Sequence, residues 1–474
     1  MTNLNPHIFR AYDIRGIAAP KDATQQADLT NEIAYLIGLG TATYLKEKYQ
    51  TKNMAVGCDI RLTSEDLKAA FIKGVLECGL DVTDIGASIS PMVYWASCAM
   101  PFDSATNITA SHNPKEYNGI KTVAKNAHSI CGEDLQEILK IIQSEKFSKS
   151  EKQGTLDKKD IWPPYMKDLL SKAKPKAISH LNKKTRVVID AGNGVAGKFA
   201  PELLRNFDCE VIELFCEPDG NFPNHPANPE EEANMKDLMK AVLEHHADIG
   251  IAFDGDGDRV GIVNEQGKMY CADFVLLMLV RDLTERVKNP KVVFDTKFSQ
   301  AIINKLKDFG AETIMSKTGH SFIEEKIKQE HADIGGETSG HLFFAENYYG
   351  FDDAFLAALK ILEIIGKHTH PVSQMFNDIP RVVSTPEIKV PCPDDKKFAI
   401  VEELVAYFTK SYNCITIDGV RVHFDEDSWA AVRASNTSPN LTLRFEAKTL
   451  EKVQEMKKIM ANALKNHPEI STDW

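Results

Sequence analysis

The sequence of 474 residues lacks paired cysteines, long hydrophobic runs and any excess of basic charge. Its nine cysteines are scattered, odd in number and without a CxxC pair, which argues against a disulfide framework and against a structural zinc site. The net charge of −12 is spread without long runs of one sign, so a nucleic-acid groove is not expected. These absences favour a reducing, cytoplasmic location and no nucleic-acid partner.

The sequence also lacks a signal for export or for membrane insertion. Residues 1–7 contain neither a basic segment nor an apolar core, so no signal peptide is expected. The longest notably apolar run, residues 272–280, is far shorter than the roughly 20 residues that a membrane span requires. The run is predicted to form a buried helix, and no membrane partner is expected.

Hydrophobic patterning indicates several α/β domains, and the length predicts three or four. A short apolar strand that ends in Asp, a helical stretch and a second strand recur three times, which is the pattern of the parallel βαβ unit. Most of the Asp side chains are expected to cap the helix that follows. The first strands end at Asp59, Asp190 and Asp295, and the second strands lie near residues 81–84, 210–214 and 312–315.

The last hundred residues have a different pattern. Residues 441–447 alternate apolar and polar side chains, which predicts a half-exposed antiparallel strand. A polar stretch at residues 144–159 and the segment 267–273 indicate boundaries between the earlier domains. The predicted fold is therefore three similar α/β domains, residues 1–155, 156–266 and 267–372, followed by an α+β domain, residues 373–474.

Three short segments carry groups that suit phosphoryl transfer. Residues 108–114 place Ser111 beside His112, although a Ser-His-Asn-Pro stretch on its own is first of all a turn signal. Residues 254–259 offer three carboxylates at every second position, and residues 433–439 offer an arginine followed by hydroxyls and amides. A hydroxyl that carries phosphate, carboxylates that hold a hard cation and an anion-binding loop together describe phosphoryl transfer.

The three carboxylates, called the Asp triplet, are Asp254, Asp256 and Asp258, and they would project to one side of an extended backbone. Ligands that are all oxygen atoms suit Mg²⁺ better than zinc or copper. A calcium loop is the alternative, because Glu265 stands at the twelfth position of such a loop. Arg259 occupies the sixth position, where that loop needs glycine, and a strand rather than a helix is predicted before it. A magnesium site is therefore favoured.

Five segments, found in one order along nearly the whole chain, resemble those of the α-D-phosphohexomutase superfamily. They are residues 9–16, 109–114, 254–259, 336–341 and 433–439. Any one of them could arise by chance, but five in order hardly could. The resemblance implies a phosphohexomutase with four domains around a central cleft, three of them α/β and the last α+β.

The resemblance assigns Ser111 as the residue that is phosphorylated in the resting enzyme. An oxygen of phosphorylated Ser111 would join the Asp triplet in holding Mg²⁺. Lys121 would stand beside the transferring group, Arg259 would face phosphate, and His320 would accept a proton or contact the sugar. Whether His320 or Lys121 is the general base stays open.

The resemblance assigns the remaining site residues to substrate binding. Glu337 and Ser339 would grip the 3- and 4-hydroxyls of a hexose, and a site that ignores the 2-hydroxyl would admit both glucose and mannose phosphates. Arg433 and its loop would hold the phosphate that is not reacting. The other expected loop and cleft residues are Tyr12, Arg15, His112, Asn113, Lys297, Ser435, Asn436, Thr437 and Ser438.

Two positions depart from the family pattern. Thr338 stands where many members have Met, and Cys58 stands where Arg is common. Phosphoglucosamine mutases typically have Gln at position 338 and Gly at the position of Asn436, so Asn436 favours the mannose and glucose class. Thr338 leaves the substrate preference open, and no consequence is assigned to Cys58.

The implied reaction interconverts hexose 1-phosphate and hexose 6-phosphate through a 1,6-bisphosphate, which would also act as an activator. A metal-dependent phosphatase that hydrolyses its phosphoserine is one alternative, but it does not need the sugar and phosphate loops. A catalytically inactive regulator that binds sugar phosphates is another, and it would be expected to lose Ser111 or the Asp triplet. The protein is expected to be a monomer or a small homo-oligomer.

Overall fold

A computed structural model describes residues 4–22, 24–175, 183–368, 370–435 and 438–474. The chain divides into two compact units, and each has its own hydrophobic core. Unit 1 comprises residues 1–275 and 339–375, and unit 2 comprises residues 276–338 and 376–474.

Strands are numbered in chain order within the described residues. The strands before residue 276 are β1 (Ile14–Ile17), β2 (Asn53–Cys58), β3 (Asp81–Ala87), β4 (Ser104–Ile108), β5 (Tyr117–Ala124), β6 (His128–Ser129), β7 (Leu156–Lys158), β8 (Arg186–Asp190), β9 (Glu210–Leu214), β10 (Ile249–Phe253), β11 (Val260–Asn264) and β12 (Met269–Tyr270). The later strands are β13 (Lys291–Asp295), β14 (Glu312–Ser316), β15 (Ile334–Gly336), β16 (Leu342–Phe344), β17 (Val383–Ser384), β18 (Ile388–Pro391), β19 (Asn413–Ile415), β20 (Val420–His423), β21 (Trp429–Ala434) and β22 (Asn440–Ala447).

The α-helices are numbered in the same way. They are α1 (Asn31–Tyr49), α2 (Ser64–Glu77), α3 (Ser90–Ala99), α4 (Glu133–Ser144), α5 (Trp162–Lys172), α6 (Ala200–Asn206), α7 (Glu232–Glu244), α8 (Ala272–Leu283), α9 (Gln300–Asp308), α10 (His320–Glu330), α11 (Ala354–Lys367), α12 (Lys397–Phe408) and α13 (Leu450–Leu464).

The first sheet lies in unit 1 and mixes parallel and antiparallel pairs. Its strands follow the order β1-β5-β4-β2-β3-β7, with β6 paired to β5. β2 is parallel to β3 and β4, whereas β5 is antiparallel to β4 and β1. β7 starts one residue after the predicted domain boundary at residue 155, yet it pairs with β3 of this sheet. The loop between β4 and β5 carries Ser111.

Helix α1 covers the apolar side of the first sheet. Thr30 caps the helix, because its side chain accepts a hydrogen bond from the Ile33 backbone N–H. Ile33, Ile37 and Leu45 are buried in the core that α1 shares with α2 and the sheet. The helix ends at Gln50, whose backbone adopts the left-handed conformation with φ of 56°.

The second sheet also lies in unit 1 and has the order β12-β11-β10-β8-β9. β8 is parallel to both β9 and β10, and β10 and β11 form an antiparallel hairpin. Every residue of β10 and β11 is buried, as expected for strands covered on both faces. The turn of this hairpin carries the Asp triplet.

Unit 2 contains parallel and antiparallel strands in separate sheets. β14, β13 and β15 lie side by side and are parallel. The C-terminal sheet has the antiparallel order β17-β22-β21-β20-β19, with β18 also paired to β22, and its core includes residues of α12 and α13. The predicted class of α/β units followed by an α+β domain is confirmed.

The Asp residues at the strand ends do not cap helices, so that expectation is wrong. Each carboxylate instead accepts the backbone N–H of the residue two positions later, which is an Asx turn. Such a turn satisfies the carboxylate inside the loop, before the next helix begins. The pairs are Asp59 with Arg61 at 3.0 Å, Asp190 with Gly192 at 2.9 Å, and Asp295 with Lys297 at 2.9 Å.

Strand β22 is buried on both faces, so the predicted half-exposed strand is wrong. Leu441, Leu443 and Phe445 face the core of the C-terminal sheet. Glu446 lies on the other face, where its Oε1 accepts hydrogen bonds from Trp429 Nε1 at 2.9 Å and from the Gln300 backbone N–H at 2.8 Å. Of the polar side chains in the alternating pattern, Thr442 and Glu446 are therefore buried inside unit 2, and Arg444 is half-buried.

The apolar run at residues 272–280 forms most of α8, as predicted. Among the described residues, none of the helices combines the length and the apolar character needed to cross a membrane. All nine cysteines fall within the described residues, and all are free thiols.

Candidate active site

Ser111 lies on a tight turn in the loop between β4 and β5. Its φ of 51° is in the left-handed region, which a residue other than glycine adopts when its surroundings hold it there. Its backbone N–H donates to Thr109 Oγ1 at 2.9 Å. Its buried hydroxyl donates to Asp254 Oδ2 at 2.7 Å and lies 3.2 Å from His112 Nδ1. The turn therefore directs the predicted nucleophile at the Asp triplet.

Arg15, on β1, fixes the same loop. Its Nη1 donates to Ala110 O at 3.1 Å and to Asn113 Oδ1 at 2.9 Å, and its Nε donates to Asp13 Oδ2 at 2.9 Å. Burial would lower the pKa of the guanidinium, but the charge and hydrogen bond of Asp13 and the charges of Asp256 and Asp258 together raise it. The pKa of His112 lies well below its ordinary value, because of its burial and then of nearby arginine charges. The imidazole is therefore neutral.

The Asp triplet follows the end of β10. The backbone is not extended, which was the condition for the side chains to project to one side, because residues 254–258 form a turn in which Gly257 has a φ of 71°. Glycine adopts this conformation without steric cost, so the chain can reverse within the triplet. The turn brings one oxygen atom of each carboxylate within 4.8 Å of the others, and all three residues are buried. The carboxylates are brought together by the turn of the loop, and not by the alternation of side chains along an extended strand.

Lys121, on β5, bridges two of these carboxylates. Its Nζ lies 2.8 Å from Asp256 Oδ2 and 2.7 Å from Asp258 Oδ2. Burial opposes the charged amine, but the two carboxylates raise the pKa of Lys121 well above its ordinary value. Burial would raise the pKa of Asp258, but Lys121, His341 and Arg259 together hold it well below its ordinary value. The pKa of Asp254 is raised well above its ordinary value by burial and by the charges of Asp258 and Asp256.

The donor set of the triplet fits a hard metal cation. The Oδ1 atoms of Asp256 and Asp258 are buried and accept no hydrogen bond from any residue that the structure describes. Buried carboxylate oxygens are unfavourable unless a donor or a cation completes their surroundings. The three carboxylates and the Ser111 hydroxyl offer oxygen atoms alone, which hard cations prefer over zinc or copper. The residues therefore suit the predicted metal site.

His341 and Asp352 extend this cluster, and the sequence patterns gave neither a role. His341 Nε2 lies 3.4 Å from Asp258 Oδ1, 3.6 Å from Asp352 Oδ2 and 3.3 Å from Arg259 Nε. Ser339 Oγ lies 2.9 Å from His341 Nδ1. His341 closes the segment that supplies Ser339, so its place in that motif could have identified it. Asp352 lies in no recognised motif.

Arg259 is held loosely by opposite charges. Its Nη1 lies 3.9 Å from Glu230 Oε2, and its Nε lies 3.9 Å from Asp254 Oδ2. Both distances exceed that of a hydrogen bond. A guanidinium that is attracted but not locked by carboxylates suits the predicted contact with phosphate.

In unit 2, the predicted sugar loop begins at Glu337, directly after β15. The buried Glu337 accepts the backbone N–H of Gly319, which precedes His320 at the start of α10. The Thr338 hydroxyl donates to Asp295 Oδ2 at 2.9 Å. Burial first, and then the charge of Glu337, raise the pKa of Asp295 to about 6. Gly319 therefore ties the predicted sugar-binding carboxylate to the start of the helix that carries His320.

Lys297 is paired with a carboxylate of unit 2. Its buried Nζ donates to Glu387 Oε2 at 2.6 Å. Burial would raise the pKa of Glu387, but the charge and hydrogen bond of Lys297 and the charges of Arg433 and Lys389 together lower it. The Glu387 carboxylate is therefore charged and forms an ion pair with Lys297.

Arg433, on β21, is joined to the sugar loop by Asp418. The Nε of Arg433 donates to Asp418 Oδ2 at 2.7 Å, and the same oxygen accepts the Thr318 backbone N–H at 3.0 Å. Thr318 precedes Gly319, which binds Glu337. Asp418 therefore connects the predicted phosphate grip with the predicted sugar grip, and its role was missed in the sequence.

The rest of the predicted phosphate loop is partly described. Ser435 Oγ lies 2.9 Å from Ser438 Oγ, and the Ser438 backbone N–H donates to Ser435 Oγ at 3.2 Å. Asn436 and Thr437 lie outside the described residues. Tyr12 is half-buried in the turn before β1.

The structure gathers the predicted residues into two groups, one in each unit. The catalytic group of unit 1 contains Arg15, Ser111, His112, Lys121, Asp254, Asp256, Asp258, Arg259 and Ser339. The recognition group of unit 2 contains Lys297, His320, Glu337, Arg433, Ser435 and Ser438.

Four parts of the chain match the domains of one protein family. The matches are phosphoglucomutase/phosphomannomutase alpha/beta/alpha domain I at residues 6–149, domain II at residues 163–267, domain III at residues 272–383 and the C-terminal domain at residues 387–463.

Individual proteins agree with this match. A phosphomannomutase/phosphoglucomutase of Pseudomonas aeruginosa is 39% identical over 465 residues, which cover 97% of this chain and 95% of that protein. A phosphoglucomutase of Neisseria meningitidis is 38% identical over 473 residues, which cover 99% of both. A solved structure of a phosphoglucomutase/phosphomannomutase family protein from Burkholderia thailandensis has a TM-score of 0.88 and 32% identity, and covers 99% of both chains. Matches along almost the full length therefore confirm the predicted resemblance, and the chain belongs to the phosphoglucomutase/phosphomannomutase family.

Proposed function

We propose that Ser111 carries the phosphoryl group in a mutase reaction that interconverts hexose 1-phosphate and hexose 6-phosphate. The chain is a phosphohexomutase, an intramolecular phosphotransferase. The 2.7 Å contact between Ser111 Oγ and Asp254 Oδ2, beside Asp256, Asp258 and Lys121, carries this assignment. A hydroxyl held among cation-binding carboxylates is suited to accept and return a phosphoryl group.

The proposed cycle starts with phosphate on Ser111. The bond from phosphorus to the serine oxygen breaks, a bond from phosphorus to the free sugar hydroxyl forms, and the hydroxyl proton passes to a base. The 1,6-bisphosphate then turns around and returns its other phosphoryl group to Ser111. Lys121 keeps its proton because Asp256 and Asp258 hold it, so we assign Lys121 to charge stabilisation and His320 to the role of base.

Mg²⁺ is the metal that we propose for the Asp triplet, with the phosphoserine oxygen of Ser111 as a further ligand. A bound divalent cation would neutralise negative charge on the phosphoryl group during transfer. Arg15 holds the backbone of the loop that carries Ser111, and Arg259 supplies further positive charge next to Asp254.

The recognition group apart from His320, together with Ser339 of the catalytic group, is proposed to bind the parts of the substrate that do not react. Glu337 and Ser339 would contact the 3- and 4-hydroxyls, while Arg433, assisted by Lys297, would hold the distal phosphate. The names of the relatives cover both glucose and mannose, which supports a site that tolerates either epimer. The remaining residues proposed for substrate binding are Tyr12, His112, Ser435, Asn436, Thr437 and Ser438.

The setting of the enzyme is also a proposal. We propose domains at residues 1–155, 156–266, 267–372 and 373–474, and a monomer or small homo-oligomer. A hexose 1,6-bisphosphate is the proposed activator. The nine free thiols support a cytoplasmic location, and the net charge of −12 supports the absence of a nucleic-acid partner. A membrane partner is not proposed.

A mutase assay with glucose, mannose and glucosamine 1-phosphates, Mg²⁺ and a trace of hexose 1,6-bisphosphate tests the reaction. We expect 6-phosphate products from glucose and mannose 1-phosphates, and covalent phosphate on Ser111 in intact-mass and peptide analysis. Ser111→Ala should abolish both. Release of inorganic phosphate without a 6-phosphate product would identify a phosphatase instead. Failure to trap phosphate on Ser111, even with excess bisphosphate, would refute its role as carrier.

A further inference from the structure

Arg61 lies behind the loop that carries Ser111, and the proposed reaction gives it no role. It follows β2 in the sequence and is only 3% exposed. Its two terminal nitrogens donate to four backbone carbonyl oxygens of the loop. Nη1 binds those of Pro114 at 2.8 Å and Tyr117 at 3.0 Å, and Nη2 binds those of Ser111 at 2.8 Å and Asn113 at 2.7 Å.

Asp59 connects the same guanidinium to the start of the loop. Arg61 Nε donates to Asp59 Oδ2 at 3.1 Å, and the same carboxylate oxygen accepts the Thr109 hydroxyl at 2.7 Å. Thr109 Oγ1 in turn accepts the backbone N–H of Ser111. Arg61 and Asp59 therefore hold the loop on both sides of the left-handed residue.

The carbonyl group of Ser111 is fixed from two directions. Arg61 Nη2 binds it on one side, and the backbone of Gly255 lies against it on the other, so that a Cβ at Gly255 would fall 2.3 Å from Ser111 O. The ring of Phe222 covers the guanidinium, with its centroid 5.2 Å from Arg61 Cζ. These contacts hold the Ser111 turn in register with the loop that carries Asp254.

We propose that Arg61 is the positioning residue that sets Ser111 Oγ at its working distance from the Asp triplet. Arg61 contacts only the backbone of Ser111 and so acts through the loop. The inference rests on the proposed carrier role of Ser111. A guanidinium offers five donors in a rigid fork and can serve four carbonyls at once, whereas lysine offers three donors on a single nitrogen. Without the fork, the loop is free to leave its turn, and a misplacement of about 1 Å can slow a reaction about 100-fold.

The test compares Arg61→Lys and Arg61→Ala with a matched control. Arg186→Lys alters a half-exposed arginine of unit 1 that pairs with Glu210 at 2.9 Å. Three quantities are measured: the single-turnover transfer from phosphorylated Ser111 to a hexose phosphate, the KM for hexose 1-phosphate, and the hydrogen exchange of backbone amides at residues 109–119.

We expect Arg61→Lys to slow transfer about 100-fold while KM changes less than about threefold, because Glu337 and Arg433, which are proposed to bind the sugar and the distal phosphate, lie outside the loop that Arg61 holds. Exchange should quicken at residues 109–119 and stay unchanged in the core strands. Added guanidinium ion should restore part of the activity of Arg61→Ala. Arg186→Lys should behave as the unaltered protein.

A folded Arg61→Lys variant with unchanged transfer, or faster exchange spread over the whole of unit 1, would overturn the proposal. If neither Arg61 variant folds, Asp59→Asn replaces them, and unchanged exchange at residues 109–119 in that variant would overturn it equally. Loss of phosphoryl transfer in the unaltered protein would refute the proposed function instead. The exchange experiment needs no substrate, so it still decides the role of Arg61 in that case.

Discussion

In unit 1 the three carboxylates of the Asp triplet share Lys121 and Arg259, whereas in unit 2 the cations Lys297 and Arg433 each contact a carboxylate of their own. Glu387 lies 2.6 Å from Lys297, and Asp418 lies 2.7 Å from Arg433. The Asp triplet therefore places three carboxyl groups beside two cations and leaves buried oxygen atoms that a bound cation would complete. The recognition group is balanced by ion pairs before any substrate binds.

The two units therefore differ in how their charged groups are compensated before a ligand binds. A site with excess charge gains from a permanent ligand, so a metal should stabilise unit 1 as well as activate it. A balanced site must share or exchange its partners when phosphate arrives, which keeps binding reversible. Reversible binding suits a reaction in which the same substrate must present each of its two ends in turn.

Loss of the proposed metal should have the largest effect on activity. Asp256→Asn keeps the size of the side chain but removes a charged ligand, so we expect turnover to fall about 1000-fold or more, with the fold retained in circular dichroism. EDTA should mimic the loss in the unaltered protein, and added Mg²⁺ should reverse it. Asp157→Asn, on the exposed strand β7, is the control and should keep full activity. Full activity after EDTA treatment would refute the metal assignment.

Lys121→Ala should lower the free energy of unfolding of unit 1 by more than the loss of an exposed ion pair would. Removing Lys121 leaves Asp256 and Asp258 buried without their cation, and breaking a buried pair in this way costs about 3–5 kcal/mol. Lys48→Ala breaks an exposed pair with Asp134 and should cost about 0–1 kcal/mol. Thermal unfolding with and without Mg²⁺ measures both. Equal losses of stability in the two variants would show that Lys121 does not compensate buried carboxylate charge.

Arg433→Ala tests the balanced site. It should weaken binding of both hexose 1-phosphate and hexose 6-phosphate by about 1.5–3 kcal/mol, or roughly tenfold to a hundredfold, because one charge-assisted contact is lost. The bisphosphate should also escape more often, so activity should depend more on added activator. Arg281→Ala removes a surface pair with Asp378 and serves as the control. Unchanged Michaelis constants and unchanged activator demand would exclude the distal-phosphate role.

The pH dependence of stability that comes from Asp295 should be the smallest effect, and its direction follows from the pKa of this group. Its pKa in the folded protein, about 6, lies above the ordinary value of 3.8, so between these values the folded state holds a proton that the unfolded state releases. Stability from this group is therefore lost as pH rises, by about 1 kcal/mol between pH 5 and pH 7. The stability of Asp295→Asn relative to the unaltered protein should rise by that amount over the same range. A constant difference in melting temperature at pH 5, 6 and 7 would show that the pKa is not raised.

The sequence predicted those parts of the fold that depend on local periodicity. Strands β2, β8 and β13 were found because buried parallel strands appear as short apolar runs, although β2 ends one residue before Asp59. The caps were wrong because Asx turns and helix caps use the same residue type. The exposure of β22 was misjudged because Glu446 is buried by a contact with Gln300, which no local pattern can reveal.

The candidate site also contains some residues that the sequence indicated and others that it did not. Ser111 and the Asp triplet stood in recognisable motifs, but the backbone of the triplet was misjudged because Gly257 turns the chain. Arg61 reaches a loop fifty residues later in the chain, so neither periodicity nor spacing indicates its role. Asp418 is separated from Thr318 by a hundred residues and was missed for the same reason.

Gly255 carries no functional group, yet its backbone lies against the carbonyl of Ser111. A scan of all substitutions should therefore rank position 255 with the nucleophile itself among the least tolerant, because even a methyl group would push the two loops apart. A functional screen would record a chemically inert residue as essential. Attempts to broaden the substrate range by directed evolution should accordingly leave this contact alone and change side chains that are not pressed against a neighbouring backbone, such as the half-buried Thr338.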